Sequence, residues 1–576
     1  MNAGDGDHLR KWKSIIPLLY DWLANHNLTW PSLTCRWGPQ LGSTAYRKKY
    51  RLYFSEQTDG SDPQRITVAT ADVFRPRVAS ADKITGWSDM EKCPYVKVEK
   101  SIVHPGEVNK LRDCPLYPKI IVTHTDAPEL YVWNVETQPH RSEKGRCDAS
   151  TAELVLTGHE GNAEYALGMC HVEPKVASGG KDRKVLVWDL QDHVSTLATT
   201  SGQSGSPHAM NTESTRLEAQ LRLSGHEDTV EDVVFQPGSS HNLASVGDDY
   251  QLLLWDARAG DAPVSKVQEA HGKYDLHCVD WSPTEEDLLA TGCADGVLKI
   301  WDRRKLSATE AVETIGFHRK AVMRVEWSPH NKGILTSGGE DNVVCVWNLK
   351  QKGSAGMDSQ DIKRIKRSIP QQLLFQHIGH KSVVVDFHMN PHDPWTMLSV
   401  SDDVSADSGG GTLQMWRISD MITRPEADVL SEIAEIAERG EKKEAKVEGA
   451  EVEGKEGGQP QQNAGIEDAV DTVLNGDAML DVVREEVEVK GETREVEAVG
   501  VPLADEIEDV PPEAKVEEET VAEKCDLVDP PKMETADQGG SEAMDVDGSS
   551  ITVQAGTVAV GESSPVAGIP NTENES

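Results

Sequence analysis

LRLSGHEDTVEDVVFQPGSSHNLASVGDDYQLLLWD, residues 221–256, decides the fold. It sets out His226, then Ser245 after 19 residues, Asp249 after four more and Trp255 after a further six. The same ruler recurs as His159, Ser178, Asp182 and Trp188; as His271, Thr291, Asp295 and Trp301; and as His318, Ser337, Asp341 and Trp347. A unit returning every 40 to 70 residues, with the variation confined to the connections, is a repeat architecture. Such a chain offers a surface on which other molecules dock. A Ser–His–Asp combination superficially suggests a hydrolase triad, but its occurrence at four places fits a structural network in every repeat far better.

Within a repeat the pattern is all-β. LSGHEDTVEDVVFQP, HNLASVGDDY and QLLLWDAR read as short strands parted by Gly, Asp and Pro turn signals. VLVW, LLLW, LKIW and VCVW are rich in β-branched and apolar residues. GH near the start and WD or WN near the end are the signature of the WD40 repeat. The spacing has a physical reason. A small isolated sheet cannot bury its faces, so blades stack around an axis. A buried Trp N–H needs an acceptor, which Ser or Thr supplies, with His behind it and Asp anchoring the His. Two further repeats are degenerate. His104, Thr123 and Trp133 keep the spacing, but Ala127 stands where Asp is expected, with Asp126 beside it. His380, Ser399, Asp403 and Trp416 fit except for a last gap seven residues longer, filled by SADSGGG (405–411). LTCRW, RLYFSEQT and RITVATADV upstream supply further strands. Six repeats and these strands predict a seven-bladed WD40 β-propeller.

Composition divides the chain after Trp416, beyond which no Trp, Tyr or Phe occurs. From Glu441 onward 36 acidic residues face 10 basic ones. A stretch so charged and so poor in aromatics cannot build a core, and it reads as a disordered acidic tail. It acts either as a solubilising segment or as a binder of basic partners. The expected organisation is a disordered 1–10, an N-terminal helix in 11–30, the propeller over 31–420, a C-terminal helix in 421–440 and the tail over 441–576. In KWKSIIPLLYDWL (11–23), Trp12, Ile15, Ile16, Leu19, Tyr20 and Leu23 fall at helical spacing, with Pro17 as a kink or restart. EADVLSEIAEIAERGEKK places Val429, Leu430, Ile433, Ile436 and Ala437 on one helical face. Both helices either pack on the propeller or, for the first, leave a groove for a partner helix. Counting the degenerate repeats, a Ser/Thr/Gly-rich linker joins the second and third, and a basic loop with KRIKR (363–367) joins the fifth and sixth.

The nine Cys show no CxxC or Cys/His clustering, so no structural metal and no cofactor is expected. There is no signal-peptide pattern and no 18-residue apolar run, which predicts a soluble intracellular chain without membrane contact. A net charge of −39 argues against direct DNA binding, which needs a basic footprint. P-loop, GxGxxG and HExxH motifs are absent from the sequence, and no catalytic residue stands apart from the repeating set.

LLYDWLANHNLTWPSLTCRWGP (18–39), HPGEVNKLRDCP (104–115), GHEDTVEDVVF (225–235), CVDWSP (278–283) and LLFQHIGHKSVVVDFHMNPHDPW (373–395) together resemble the retinoblastoma-binding, MSI-type family of histone-binding WD40 proteins. Within it, YDWLANHN, RLYFSEQTDG, ETQP and SDDVSADSGGGTLQMWR resemble a plant flowering-time regulator. The resemblance covers about residues 8–438 and leaves the tail aside. It implies a nuclear, non-enzymatic adaptor that binds histones within deacetylase, demethylase or Polycomb-type repressive complexes.

The resemblance also implies two histone sites. One is an acidic rim for basic tails, matched here by Glu107, Glu164 and Glu231. The last two follow a ruler His by five residues, and such carboxylates accept Arg or Lys through charge-assisted bonds. The equivalent positions Met323, Val385 and His277 leave the rim only partly acidic. The other is a groove for a histone helix, with an apolar wall of Ile15, Ile16, Leu19, Leu23, Leu374 and Phe375. Relatives carry an acidic loop here, whereas this chain has Lys363, Arg364, Lys366 and Arg367, which repel a basic helix. Finally, WDxR occurs at Trp255, Asp256 and Arg258 and at Trp301, Asp302 and Arg304. In WD40 proteins that motif is associated with docking on the adaptor of cullin-RING ubiquitin ligases, which makes a ligase substrate receptor the alternative reading. Asp and Arg after the blade Trp also pair simply on the rim.

Overall fold

Strand after strand pairs with its chain neighbour until seven separate sheets are made. The computed structural model describes residues 12–435 except 80–83, 85–92, 142–148, 163–164, 195–214, 307–309, 352–369, 403–409, 426 and 433. The acidic tail, the KRIKR loop, Asp403, Ile433, Ile436, Ala437 and most of the Ser/Thr/Gly-rich linker lie outside the described residues, as does the expected disorder of 1–10. Among the described residues no helix is long and apolar enough to cross a membrane.

Each blade is an antiparallel meander. Blade one runs Cys35–Ser43, Arg47–Glu56, Arg65–Phe74 and Val96–Val103, the strands expected upstream of the repeats. Blade two starts at Lys110–Asp113 and gains a fifth strand, Thr215–Glu218, parallel to Leu154–Thr157. Blades three to seven start at Leu167–Met169, Val230–Phe235, Leu276–Trp281, Val322–Trp327 and Val383–Met389. The strands are short and apolar on the faces that meet the next blade. Seven apolar clusters result, most of them joining neighbouring blades, as where Ala244, Val246 and Leu252 of blade four meet Leu276, Leu289 and Trp301 of blade five.

Ring closure corrects the expectation for the N-terminus. Residues 12–19 are helical, through Pro17, but the helix ends at Leu19. Tyr20–Asn27 is a strand, antiparallel to Thr412–Ile418 as the outer strand of blade seven. Tyr20, Trp22 and Ala24 satisfy a period of two as well as Trp12, Ile16, Leu19 and Leu23 satisfy a helical one, so periodicity alone could not place the boundary. Pairing decides it, because an unpaired outer strand would leave an edge open. The C-terminal helix is likewise broken. Asp420–Thr423 forms a single turn, and a second helical segment begins at 427, after Pro425. Val429 is buried there while Leu430 is exposed, so they do not share one packed face.

The ruler is a hydrogen-bonded network in each repeat. His226 Nε2 meets Ser245 Oγ at 2.7 Å, Trp255 Nε1 donates to that oxygen at 2.8 Å, and His226 Nδ1 lies 2.9 Å from Asp249. His318, Ser337, Trp347 and Asp341 repeat this at 2.7, 2.8 and 3.0 Å. The degenerate repeats keep the inner half. Thr123 joins His104 to Trp133, and Ser399 joins His380 to Trp416, with Thr412 bonding His380 Nδ1 in place of an acid. Two members differ from expectation. Trp188 donates to the carbonyl of Thr157 rather than to Ser178, whose oxygen lies 3.3 Å from His124 Nε2. Asp295 does not reach His271 and instead accepts from the Cys293 thiol. Ser178, Ser245, Ser337 and Ser399 are fully buried, out of reach of a substrate.

Ser245→Ala leaves the Trp255 N–H and the His226 ring without their partner, and each buried unmet group costs about 1–3 kcal/mol. Urea unfolding should therefore show a loss of about 2–4 kcal/mol. Ser245→Thr keeps the hydroxyl, as Thr123 and Thr291 do in their blades, and should lose clearly less.

Candidate functional site

The turns that precede the innermost strands gather on one face of the ring. In four blades the register slips by one residue at the start of that strand, between Val230 and Asp232, Leu276 and Cys278, Val322 and Arg324, and Val384 and Asp386. The extra residue of such a bulge is turned out of the ladder. It is Glu231, His277, Met323 or Val385, all half-buried. The four equivalent positions expected from the spacing thus coincide with one structural device. Glu164 lies outside the described residues, next to the exposed Tyr165. Glu107 sits half-buried in the turn before Lys110–Asp113 and accepts from the Gln57 amide.

A second row of acids went unread in the sequence. Three residues after the ruler hydroxyl stand Asp126, Asp248 and Glu340, in the turn between the second and third strands, and Asp402, at the end of the second strand. The backbone ties this turn to the bulge face: Asp248 N donates to Thr229 O and Glu340 N to Ala321 O, each at 3.0 Å. The offset is present along the chain, where Asp126 reads only as a misplaced ruler acid. What hides the row is that Lys181 and Ala294 fill the same position in blades three and five.

The two rows act on one another. Burial, then Asp275, Asp228 and Asp249, push the Asp248 carboxyl up to about 6. Burial, then Asp126, raise that of Glu107. Burial lowers the His277 imidazole, against the pull of Asp275 and Glu340, so at neutral pH it is an uncharged polar neighbour. A carboxylate raised by burial and by neighbouring acids gains from an arriving cation. Tyr165 and Tyr274, 42% and 52% exposed, flank the acids with flat apolar surface. The arrangement suits a chain carrying Arg or Lys.

The opposite mouth differs. The central cavity of about 690 Å³ opens between Trp37, Trp281, Trp327 and Phe235, over a floor that includes Arg36, Arg112 and Arg324. Asp386 holds this floor together. It lies 3.1 Å from Arg36 and 3.6 Å from Arg324, and accepts from Thr34 Oγ1 and Cys35 N. Burial works to raise its carboxyl, yet Arg36 and then Arg324 hold it well below the usual range. Burial pushes Glu326 up to about 8. These bonds join blades one, six and seven across the axis.

The groove reading needs correction. Ile16, Leu19, Leu23 and Phe375 are buried in one cluster with Trp12, Tyr20 and Trp416, and so are spent on the core. Ile15 and Leu374 are half-buried against the same cluster. The structure brings all six together, but as packing of the helix on blades six and seven rather than as an open wall. Lys363, Arg364, Lys366 and Arg367 lie outside the described residues. In the WDxR motifs, Trp255 and Trp301 are buried, while Arg258 and Arg304 are exposed and pair through two nitrogens with their own Asp256 and Asp302 at 2.6 to 2.9 Å.

Comparison with known proteins bears on this geometry. The family model for the histone-binding protein RBBP4, or the equivalent component of the CAF1 complex, matches residues 7–75. The model of the WD domain, G-beta repeat, matches 218–256, 263–302 and 310–348. The chain is 49% identical over 429 residues to the WD-40 repeat-containing protein MSI4 of Arabidopsis thaliana, covering 73% of this chain and 84% of that protein. It is 32% identical over 420 residues to the WD-40 repeat-containing protein MSI3 of the same plant, covering 72% and 90%.

An Arg/Lys-rich probe peptide should bind more tightly as pH rises through about 6, because Asp248 gains its charge there. Fluorescence anisotropy from pH 5 to 8 checks this. Asp248→Asn should flatten the rise; a profile unchanged by that substitution would remove Asp248 from the site.

Proposed function

The chain belongs to the retinoblastoma-binding, MSI-type family of histone-binding WD40 proteins, and from that premise we propose that it is a nuclear, non-enzymatic chromatin adaptor holding basic histone tails on its acidic face. One observation carries the reading: Asp228, Asp248 and Asp275 lie close enough to interact, with Asp248 raised first by burial and then by Asp275 and Asp228, and Glu231 stands on the bulge three residues after Asp228. Glu107 and Asp126 form a second such pair on blade two, and Glu164, between them and Glu231 in chain order, completes the row in this proposal. The tail peptide lies across the bulges, its Arg and Lys taken by the carboxylates through charge-assisted bonds. The propeller thereby brings histones to a repressive enzyme of the deacetylase, demethylase or Polycomb type. Control of flowering time belongs to the same proposal, by analogy with the plant relative.

The helix groove has a lesser part in it. Four of its six expected wall residues are buried, which leaves Ile15 and Leu374 as half-exposed apolar contacts. With the basic 363–367 loop beside them, a basic histone helix gains little there.

Under the ligase reading, Arg258 and Arg304 grip the adaptor. Their bidentate pairing with Asp256 and Asp302 gives them a structural role already, so that reading ranks second.

The full chain should bind an unmodified histone tail peptide in calorimetry, and the paired Glu231→Lys and Asp248→Lys changes should weaken it by at least about 10-fold, since like charges in a site cost several kcal/mol. Arg258→Ala with Arg304→Ala should leave that affinity unchanged. The reverse pattern, with tail binding indifferent to the acids and pulldown of the ligase adaptor lost with the arginines, would favour the receptor role.

A further inference from the structure

Blade five breaks a rule that its neighbours keep. His159, His226 and His318 each set Nδ1 2.9 to 3.0 Å from the turn carboxylate of Asp182, Asp249 or Asp341. In all three blades the residue two after the ruler serine is glycine: Gly180, Gly247 and Gly339. A Cβ added to Gly339 would first meet the Ala321 carbonyl at 2.6 Å and then stand 3.3 Å from both His318 Nδ1 and Asp341 Oδ1, and one added to Gly247 would meet the Thr229 carbonyl closer still. In blade six a side chain at that offset therefore borders the His–Asp bond. In blade five the offset is occupied by Cys293.

The consequences are visible around it. The Cys293 thiol meets Asp295 Oδ1 at 2.5 Å, an oxygen that also accepts from Val297 N at 2.9 Å. His271 is 5% exposed, and its Nδ1 has no hydrogen-bond partner among the described residues. A buried ring nitrogen left without a partner is costly, and it calls for an explanation. Its other nitrogen, Nε2, is fixed by Thr291 Oγ1 at 2.7 Å, which also receives the Trp301 N–H. The ring is therefore held with Nδ1 toward the thiol and the carboxylate. One ligand atom each from His271, Cys293 and Asp295 lies within 4.8 Å of the others.

We propose that His271, Cys293 and Asp295 form a zinc site, built where the other blades close a His–Asp bond. Imidazole, thiolate and carboxylate are the donors that a borderline divalent ion takes, at about 2.0–2.3 Å. A tetrahedral ion with such bonds sets its ligand atoms about 3.3–3.7 Å apart, so the imidazole must close in while the Cys293 sulfur and Asp295 Oδ1, now 2.5 Å apart, part by about 1 Å to admit it. Water supplies the fourth position. Thr291 supports the His from behind, accepting from Nε2–H while Nδ1 binds the ion. Binding replaces the thiol proton: Zn²⁺ and Cys293–SH give the zinc thiolate and one released H⁺, so affinity falls as pH falls. Lys299 is the neighbouring cation. Its Nζ bonds Ala270 O at 2.7 Å and sits over the Trp301 ring, and its charge moderates the affinity without filling the site. The ion links His271 to the turn, a link that blades three, four and six make directly through the His–Asp bond.

The test uses the full chain with Cys147→Ser and Cys525→Ser, which removes the two thiols outside the described residues, stripped of metal by a chelator. Cobalt(II) titration should give a thiolate-to-metal charge-transfer band that saturates at one equivalent and is bleached by zinc. Cys293→Ser should abolish the band and weaken zinc binding by more than the roughly 10-fold that loss of an outer partner costs. Cys293→Gly, which restores the residue of the other blades, should fold with its unfolding temperature insensitive to zinc, whereas zinc should raise that of the parent. A parent chain without a stoichiometric band, or a band that survives Cys293→Gly, would overturn the site.

Discussion

A single buried hydroxyl shared by an imidazole and an indole is the constraint on which most of the blades depend. Ser245 shows how it sets the spacing. In the hairpin register Ser245 faces Leu253, and Trp255 lies two residues further on the same side of the sheet, close enough to donate back to Ser245. The ten-residue step from hydroxyl to indole is therefore a property of one antiparallel pairing. Blade seven makes the point by exception. Ser399 faces Gln414 and Trp416 again follows by two, so the longer connection changes the count along the chain but not the geometry. Because the donor would be left unmet in a dry interior, the three side chains stand or fall together.

Closing the ring is the second constraint, and it joins the chain's start to the propeller's end. Tyr20–Asn27 covers the edge of Thr412–Ile418, while Trp12 and Tyr20 pack their rings edge-on to His377 beside Trp416. The Tyr20 hydroxyl meets His377 Nδ1 at 2.7 Å, and His377 Nε2 meets Gln414. A segment committed to closure in this way cannot also present its apolar side to a partner. That is why residues with the spacing of a docking helix are found in the core.

Function collects where the repeat allows variation. The bulge residue and the turn residue after the hydroxyl carry no structural duty common to all blades, so they differ from blade to blade: Glu231 and Asp248 in blade four, Met323 and Glu340 in blade six. Rigid strands hold these positions in fixed relation, which lets separate repeats make one binding face. The same logic separates the two mouths. One gathers carboxylates around the raised Asp248, while the other is ringed by Trp37, Trp281 and Trp327 above arginines, of which Arg36 and Arg324 pair with Asp386.

The sequence by itself determined the blade count, the buried role of the ruler residues and the membership implied by WPSL and LLFQHIGH, because hydrogen-bond demand and strand pairing act at fixed short separations. It also pointed to Glu107 and Glu231, whose offsets are local. Only the tertiary structure decided that 20–27 is a strand, since its partner is nearly 400 residues away in the chain. The same holds for the row from Asp126 to Asp402, which becomes one feature only when the blades are placed side by side. Cys293 is the clearest case. Its sequence shows no metal-ligand spacing, and the thiol acquires meaning only because the fold aims that offset at a histidine nitrogen with nothing else to bind.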